Sequence, residues 1–558
     1  MGHSENKPLS LDRRSALLLS ATGGAALLTR QAQAADSTKL AAKQNTGPLT
    51  TPRSAVAKTQ YGPVRGFVSG GVYTFKGIPY GANTGGENRW LPAKPPQPWT
   101  DEFPALVYGA NCPQTLHNFR SIETSFLLDW DDGWLSEDML KMNIWTPALT
   151  GKRPVMLYLH GGGFSFGSAY ELPSHEGAQM ARHHDVVQVS INHRLNALGF
   201  LDLSQVGGAA YAESGNVGMT DIVFALKWVR ENIANFGGDP DRVMIYGQSG
   251  GASKVTTLMG MPSAAGLFHR AGVQSGGGSN SPTSEQQQAV ARQLMVELGL
   301  GSNDITGLQK VEWQKLLEAG QSAVAKVNGP GPAPLPGSFG GPPRAGWSPT
   351  LDGRVLPVRA FYDVAPEYSK NVPMLVGSVS EEGMSFSSKP TESEFLATLN
   401  QQYPGKGAQI LAAMKRANPN KSVRTLSYAL RGYTSRNSVQ RQARLKHNQG
   451  GAPAYQYWFT WQSPQLDGVA GAWHTAELAF CFDNTKRCEQ GTGDTPQARA
   501  LAKKMAGAWS AFAHTGNPGM GWRPSDPTRN QTMVFDNVCR MEDDPHAEVR
   551  KLIAPGNV

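Results

Sequence analysis

One serine stands between a short apolar run and a segment able to form a helix. Ser249 occupies the centre of the string GQSGG (247–251), after the predicted strand Arg242–Tyr246 and before the predicted helix Ala252–Met261. A serine in this context sits on a sharp, strained turn, and the glycines two positions away on either side remove side chains that would collide there. The string predicts a nucleophilic hydroxyl at the carboxyl end of a sheet, with the backbone N–H of Gly250 facing the reaction centre.

A second glycine-rich string, HGGGF (160–164), follows the predicted strand Val155–Leu159. Three glycines leave backbone N–H groups bare, which suits the stabilisation of a developing alkoxide. A phosphate-cradling loop is the alternative, but neither G-x-G-x-x-G nor G-x-x-x-x-G-K-[ST] occurs here. We therefore predict an oxyanion hole made by the N–H groups of Gly162, Gly163 and Gly250, with Phe164 as a candidate substrate-binding residue.

A serine hydroxyl needs a base, and the base needs a carboxylate to orient it. Of the twelve histidines, His474 is the best candidate because it lies in a small-residue loop after a late predicted strand. Glu381 and Glu382 follow the predicted strand Pro373–Val376, and spacing alone does not separate them. Glu477 is interpreted as a structural ion-pair partner. The order serine, acid, histidine is that of the α/β-hydrolase fold. The sequence shows no clustered metal-ligand spacing, and this chemistry requires no metal and no cofactor.

Short apolar runs alternate with helical patterns along most of the chain, which predicts a mostly parallel sheet with helices on both faces. Alternating residues at Thr59–Phe67 and Val72–Ile78 predict an antiparallel edge hairpin around Gly70-Gly71. The remaining predicted elements are the strands Val186–Ile191, Val243–Tyr246, Ala271–Gln274 and Ala454–Phe459, and the helix Asn216–Phe236.

The composition excludes collagen-like, coiled-coil and wholly disordered proteins. The 558 residues are 39% hydrophobic and 17% charged with a net charge of +8, and no Lys/Arg-rich run occurs, so nucleic-acid binding is not expected.

No acidic residue occurs from Phe395 to Leu466, where ten basic residues lie. That segment could attract anionic substrates or an anionic surface. We favour the simpler interpretation, a solvated helical face paired with acidic residues elsewhere.

The amino-terminal segment resembles an export signal. Arg13-Arg14 precedes a short apolar stretch and a small-residue cleavage site near Ala34, which is typical of twin-arginine signals. An ordinary signal peptide or a disordered tail is the alternative. No later segment offers the ~20 consecutive apolar residues that a membrane span requires. We expect a periplasmic or secreted protein that uses the twin-arginine export machinery and has no transmembrane segment.

The expected organisation is a signal (1–34), a linker (35–57) and one catalytic domain (58–550) with an insertion at about 279–349. The insertion carries helical patterns at Ser284–Leu298 and Val311–Val327 and a Gly/Pro-rich run. It is either a lid or pocket wall or a flexible surface insertion. Four cysteines are too few to staple the chain, although Cys481 and Cys488 could form a disulfide in an oxidising compartment or remain two buried thiols.

Taken together, these strings resemble the type-B carboxylesterases, the family that includes the cholinesterases and bacterial para-nitrobenzyl esterases. The resemblance runs from about Thr59 to Ala513, and its other motifs are YGPVRG (61–66), FKGIPY (75–80), SED (136–138), NIWTP (143–147), NHRL (192–195) and FGGDP (236–240). It implies the α/β-hydrolase fold, with Ser249 as nucleophile, His474 as general base and Glu382, directly before a glycine, as the acid.

Three positions depart from the family pattern. Met139 stands where a cysteine often pairs with an upstream one, so Cys112 lacks its usual partner. Gln248 and Gly250 stand where Glu and Ala are commoner.

The expected activity is hydrolysis of carboxylic esters through an acyl-enzyme, on small-molecule esters of medium size and apolar or aromatic character. Phe164, Trp130, Trp134 and the insertion are plausible pocket walls. Amide or peptide hydrolysis with the same triad is one alternative. A non-catalytic cholinesterase-like binding protein is another, although the triad looks complete.

Overall fold

The structure is a computed structural model that describes residues 49–115, 121–330, 343–383 and 388–554. The predicted export signal and most of the predicted linker lie outside the described residues, as does most of the Gly/Pro-rich run of the insertion. The strands are β1 Val56–Thr59, β2 Gly62–Arg65, β3 Phe67–Ser69, β4 Val72–Pro79, β5 Phe103–Pro104, β6 Lys141–Thr146, β7 Arg153–Leu159, β8 Val187–Ile191, β9 Gly238–Gln248, β10 Arg270–Gln274, β11 Met374–Val379, β12 Ala454–Phe459, β13 Gln531–Phe535 and β14 Arg540–Asp543.

The α-helices are α1 Ile122–Leu128, α2 Ala178–His184, α3 Asn196–Phe200, α4 Val217–Asn232, α5 Gly250–Met259, α6 Ser284–Glu297, α7 Ile305–Gln309, α8 Trp313–Asn328, α9 Glu392–Gln402, α10 Gly407–Ala417, α11 Val423–Asn448, α12 Leu478–Cys481, α13 Glu489–Thr492, α14 Pro496–Thr515 and α15 Ala547–Ile553.

The main sheet has eleven strands in the order β14-β13-β12-β11-β10-β9-β7-β8-β6-β4-β3. Seven consecutive strands in this order, β13-β12-β11-β10-β9-β7-β8, run parallel to one another. The strands at both edges of the sheet are antiparallel. All carboxyl ends of the parallel strands therefore meet at one edge of the sheet, where ligands bind in open α/β folds. The predicted mostly parallel sheet is confirmed.

The central strands are buried on both faces, which explains their continuous apolar sequence. Leu157 and Ile245 face one hydrophobic cluster, which also receives α4 and α5. The alternating neighbours Tyr158 and Tyr246 face a second cluster, which receives α14. Because side chains of a strand alternate between faces, the two clusters are the two covered sides of one sheet.

The predicted edge hairpin is only partly correct. β3 and β4 pair antiparallel around Gly70-Gly71, and both glycines have positive φ. The predicted strand Thr59–Phe67, however, is interrupted. β2 pairs with β1 on one side and with β5 on the other in a separate three-stranded sheet, and Gly66 separates β2 from β3.

The basic segment forms most of α9, α10, α11 and β12, and its cations find partners from other parts of the chain. Lys415 lies 2.7 Å from Glu392, Arg436 lies 3.2 Å from Asp544, and Lys421 contacts Glu381. These pairs support the simpler interpretation of this segment.

All four cysteines are free thiols, so Cys481 and Cys488 are not joined. Cys112 and Met139 are both buried in the first cluster, and the Cys112 sulfur accepts the N–H of Leu195. In the described segments, no helix combines the length and apolar character needed to cross a bilayer.

Candidate active site

Ser249 lies at the carboxyl end of β9, directly before α5, in a backbone conformation that L residues rarely adopt. Its φ is 57° and its ψ is −120°, and its N–H donates to the carbonyl of Gln274 on β10 at 2.8 Å. A Cβ on Gly247 would lie 2.6 Å from the backbone of Gly251, and one on Gly251 would lie 2.0 Å from the Leu159 carbonyl oxygen. Both glycines are therefore required, because strand, turn and helix meet with no space for side chains.

The loop after β7 packs against this turn. Gly162 and Gly163 have φ of 78° and 62°, and a Cβ on Gly250 would lie 2.3 Å from the Gly163 nitrogen. In the described part of the chain, the N–H groups of Gly162 and Gly163 donate no hydrogen bond. Gly250 is the first residue of α5, so its N–H has no intrahelical acceptor. Three unsatisfied donors thus lie together beside Ser249, as an oxyanion hole requires.

His474 and Glu382 meet at the same edge of the sheet. Nδ1 of His474 makes a short contact with Oε2 of Glu382, whose side chain is fully buried. The backbone explains the pairing, because Glu381 and Trp473 form a parallel β-bridge beyond the ends of β11 and β12. The bridge holds the next residue of each segment, Glu382 and His474, side by side.

The neighbouring acid Glu381 has a structural role. Its carboxylate contacts Lys421, accepts the Ser380 hydroxyl at 2.6 Å and accepts the Ala472 N–H at 2.8 Å. Spacing alone did not distinguish the two glutamates, but their contacts differ. Glu382 contacts His474, whereas Glu381 binds the backbone of the segment that contains His474.

Glu477 does not have the predicted role. It is fully buried, and it pairs with no cation among the residues that the structure describes. Burial and, to a smaller extent, the nearby Glu382 raise the pKa of its carboxyl to about 8. A carboxyl with this pKa is neutral at pH 7, so Glu477 is a buried acid and not an ion-pair partner.

The imidazole of His474 and the hydroxyl of Ser249 lie at the same edge of the sheet. Across the described residues, no hydrogen bond joins them. The side-chain amide of Gln248 lies 3.2 Å from Nε2 of His474 and 3.4 Å from its Nδ1. Because Gln248 precedes Ser249, this contact places the ring beside the turn. Catalytic hydrogen bonds are often long without substrate and tighten when it binds.

A cavity of about 350 Å³ lies beside α5. Phe164 and Ser253 line it near the nucleophilic turn, and residues 277–281 and 348–349, where the chain enters and leaves the insertion, form a wall. Trp130 and Trp134, which we expected at the pocket, are not among its lining residues. Trp130 packs against the second cluster, and Trp134 is exposed.

Sequence reasoning missed Lys254, the only charged residue of the predicted helix Ala252–Met261. It is fully buried one turn after Gly250, and its Nζ donates to the carbonyl of His160 at 2.9 Å and to that of Gly161 at 3.4 Å. A lone cation in an otherwise uncharged helical segment was the available signal. In the described segments, no group of three His, Cys, Asp or Glu side chains could hold a metal ion.

The model of the Carboxylesterase family matches residues 53–551. The chain belongs to this family. Para-nitrobenzyl esterase of Bacillus subtilis is 31% identical over 511 residues, which cover 90% of this chain and 98% of the relative. Phenmedipham hydrolase of Pseudarthrobacter oxydans is 30% identical, with the same coverage of both chains.

Solved structures agree. This carboxylesterase superposes with a TM-score of 0.78 on an esterase from Clostridium hathewayi that hydrolyses aliphatic aromatic polyesters, at 31% identity and with 91% and 99% of the two chains covered. A para-nitrobenzyl esterase structure gives a TM-score of 0.74 at 29% identity, covering 90% of this chain and 99% of the other. The predicted family and α/β-hydrolase fold are confirmed, and the protein is a carboxylic ester hydrolase.

Proposed function

We propose that this carboxylesterase hydrolyses esters through a covalent acyl-enzyme formed on Ser249. The observation that carries the proposal is the contact between His474 and Glu382 at the sheet edge where Ser249 sits on its strained turn. A nucleophile, a base and an acid that orients the base are the parts that acyl transfer by serine needs.

In the first half-reaction, the Ser249 oxygen attacks the ester carbonyl while Nε2 of His474 takes the hydroxyl proton. Glu382 holds the Nδ1 proton and stabilises the imidazolium that forms. The N–H groups of Gly162, Gly163 and Gly250 stabilise the oxyanion. Collapse of the tetrahedral intermediate breaks the bond to the alcohol, which leaves with the proton from His474.

In the second half-reaction, His474 removes a proton from water, and the resulting hydroxide attacks the acyl carbon. Collapse of this intermediate releases the carboxylic acid and returns the proton to Ser249. The first step requires His474 to move from the Gln248 amide towards the Ser249 oxygen. We propose that substrate binding brings about this displacement while the bridge between Glu381 and Trp473 stays in place.

The cavity beside α5 is the proposed acyl or alcohol pocket. Its volume of about 350 Å³ suits esters of medium size, and Phe164, Phe361 and Tyr362 give it aromatic surface. The para-nitrobenzyl group named for one relative and the aliphatic aromatic polyesters named for a solved structure support substrates with an aromatic group. Medium-size apolar or aromatic esters therefore remain the proposed substrates. Amide hydrolysis by the same residues is the second candidate, and matched ester and anilide substrates separate the two.

The test replaces Ser249 by alanine and uses Ser253→Ala as its control. Ser253 lies one turn after Ser249 on α5 and lines the cavity described above, so its variant removes a nearby hydroxyl without removing the proposed nucleophile. We expect Ser249→Ala to lower kcat by about 10⁴-fold or more. Ser253→Ala should change it by less than about tenfold. Equal turnover by the wild type and Ser249→Ala would refute the proposal.

A further inference from the structure

Lys254 makes hydrogen bonds that lie directly behind the oxyanion loop. Its Nζ donates to the carbonyl oxygens of His160 at 2.9 Å and Gly161 at 3.4 Å. The carbonyl of Gly161 and the N–H of Gly162 belong to the same peptide unit. Lys254 therefore contacts one end of a peptide group whose other end is a proposed oxyanion donor.

The surroundings of Lys254 leave its charge without a direct counter-ion. It is fully buried and forms no ion pair among the residues described. Of the carboxylates in the described segments, Glu171 acts on its charge, and this effect favours the charged form. The ring of Phe164 lies 5.9 Å from Nζ. Burial of an ammonium is strongly unfavourable unless a specific interaction compensates it.

The two histidines near Lys254 are neutral. His160 and His193 stack with their ring centroids 5.1 Å apart, and both are buried. Burial lowers the pKa of each ring well below 6.5, and Lys254 lowers it further. The positive charge at this end of the oxyanion loop can therefore come only from Lys254, among the groups that face it.

We infer that Lys254 is a positioning residue for ester hydrolysis, whose ammonium holds the oxyanion loop and polarises the Gly161–Gly162 peptide so that the Gly162 N–H becomes a stronger donor to the oxyanion. This inference rests on the proposed acyl-enzyme mechanism. Hydrogen bonds that share a peptide group strengthen one another, and the low local dielectric enlarges the effect of a nearby charge. The stabilisation grows as the oxyanion forms, so it belongs to the transition state and not to substrate binding.

If Lys254 acts in this way, the activity depends on pH through the ionisation of Lys254. Burial lowers the pKa of Lys254 to about 7, and Glu171 opposes the shift. The free enzyme thus loses this charge as the pH rises through about 7. We expect kcat/KM to show an alkaline limb that depends on Lys254, since kcat/KM reports the ionisation of the free enzyme.

The chain offers a matched control in Lys446 on α11. Lys446 is also fully buried, and its Nζ also donates to two consecutive carbonyls, those of Ser369 and Lys370, each at 2.7 Å. Burial lowers its pKa to about 8. Lys446→Met therefore removes the same kind of buried amine from a site with no contact to the oxyanion loop.

The experiment compares Lys254→Met with Lys446→Met in the full-length enzyme. Removing a whole oxyanion donor costs ~10²- to 10³-fold in kcat, so weakening one should cost about 10- to 100-fold. For Lys254→Met we expect a loss of kcat in that range, KM within about twofold, an equal weakening of a trifluoromethyl ketone inhibitor and loss of the alkaline limb. Lys446→Met should lower Tm but keep kcat, inhibitor affinity and the limb.

Lys254→Gln is the second variant, in case the methionine variant does not fold. Its neutral amide can still donate to the loop, so it should fold and bind substrate but lack the alkaline limb. Retention of that limb in Lys254→Gln, or a folded Lys254→Met with wild-type kcat, would overturn the inference. The Ser249→Ala result judges the proposed mechanism separately, because it does not depend on Lys254.

Discussion

Gly250→Ala tests how closely the oxyanion loop approaches the nucleophilic turn. An added Cβ would lie 2.3 Å from both the nitrogen and the oxygen of Gly163. Contacts between non-bonded heavy atoms are comfortable near ~3.5 Å, so the loop must withdraw by about 1 Å. A displacement of about 1 Å in a catalytic group costs on the order of 10²-fold in rate. Alanine is common here in the family, yet we predict that it impairs this chain.

The assay is kcat on a para-nitrophenyl ester, together with the affinity for a trifluoromethyl ketone. Both should fall about 10²-fold in Gly250→Ala, because both report the oxyanion. Gly161→Ala is the control. It adds the same methyl group to the same loop, but its nearest contacts of 3.4 to 3.6 Å are ordinary. If Gly250→Ala is folded and keeps wild-type kcat and inhibitor affinity, the described approach of Gly163 to Gly250 is wrong.

Three further predictions concern the acids of the site and the core. Glu382→Gln should lower kcat by about 10³-fold or more, whereas Glu381→Gln should mainly lower Tm; the reverse pattern would exchange their roles. Glu477 has a folded pKa raised to about 8 from 4.5, so its contribution to stability is complete below pH 4.5 and is lost as the pH rises through 8. Glu477→Gln should therefore flatten the fall in unfolding free energy over that range, and an unchanged slope would show that Glu477 ionises normally. Asp221→Asn leaves the buried guanidinium of Arg194, now 2.6 Å from Asp221, without its counter-charge. The cost should be about 3–5 kcal/mol of unfolding free energy, measured by urea denaturation, and a loss below about 1 kcal/mol would contradict it.

The sequence predicted the central strands and the motifs closely because local signals and burial agree there. Strand β12 has the predicted bounds, and Gly237 ends the helical segment after α4 with a φ of 76°, as a glycine at that position favours. The predicted strand Thr59–Phe67 failed because its alternation continues through Gly66, where the chain leaves one sheet and enters another. Only tertiary pairing determines that change.

In the candidate site too, local sequence patterns predicted some features, and others depend on tertiary packing. Strand order and small-residue loops made Ser249 and His474 candidates. The contact of His474 with Glu382, and not with Glu381, depends on a β-bridge that spacing does not encode. The ionisation of Glu477 and the burial of Lys254 depend on packing from distant segments. Charged residue types are usually exposed, so a sequence gives no general reason to bury them.

The most direct measurement is to trap the acyl group. Enzyme rapidly quenched during turnover of a para-nitrophenyl ester is digested, and the acylated peptide is located by mass spectrometry. We predict one acyl group per chain on Ser249, with a matching burst of para-nitrophenol, and neither signal in Ser249→Ala. An acyl group on another residue, or a burst that persists in Ser249→Ala, would contradict the mechanism.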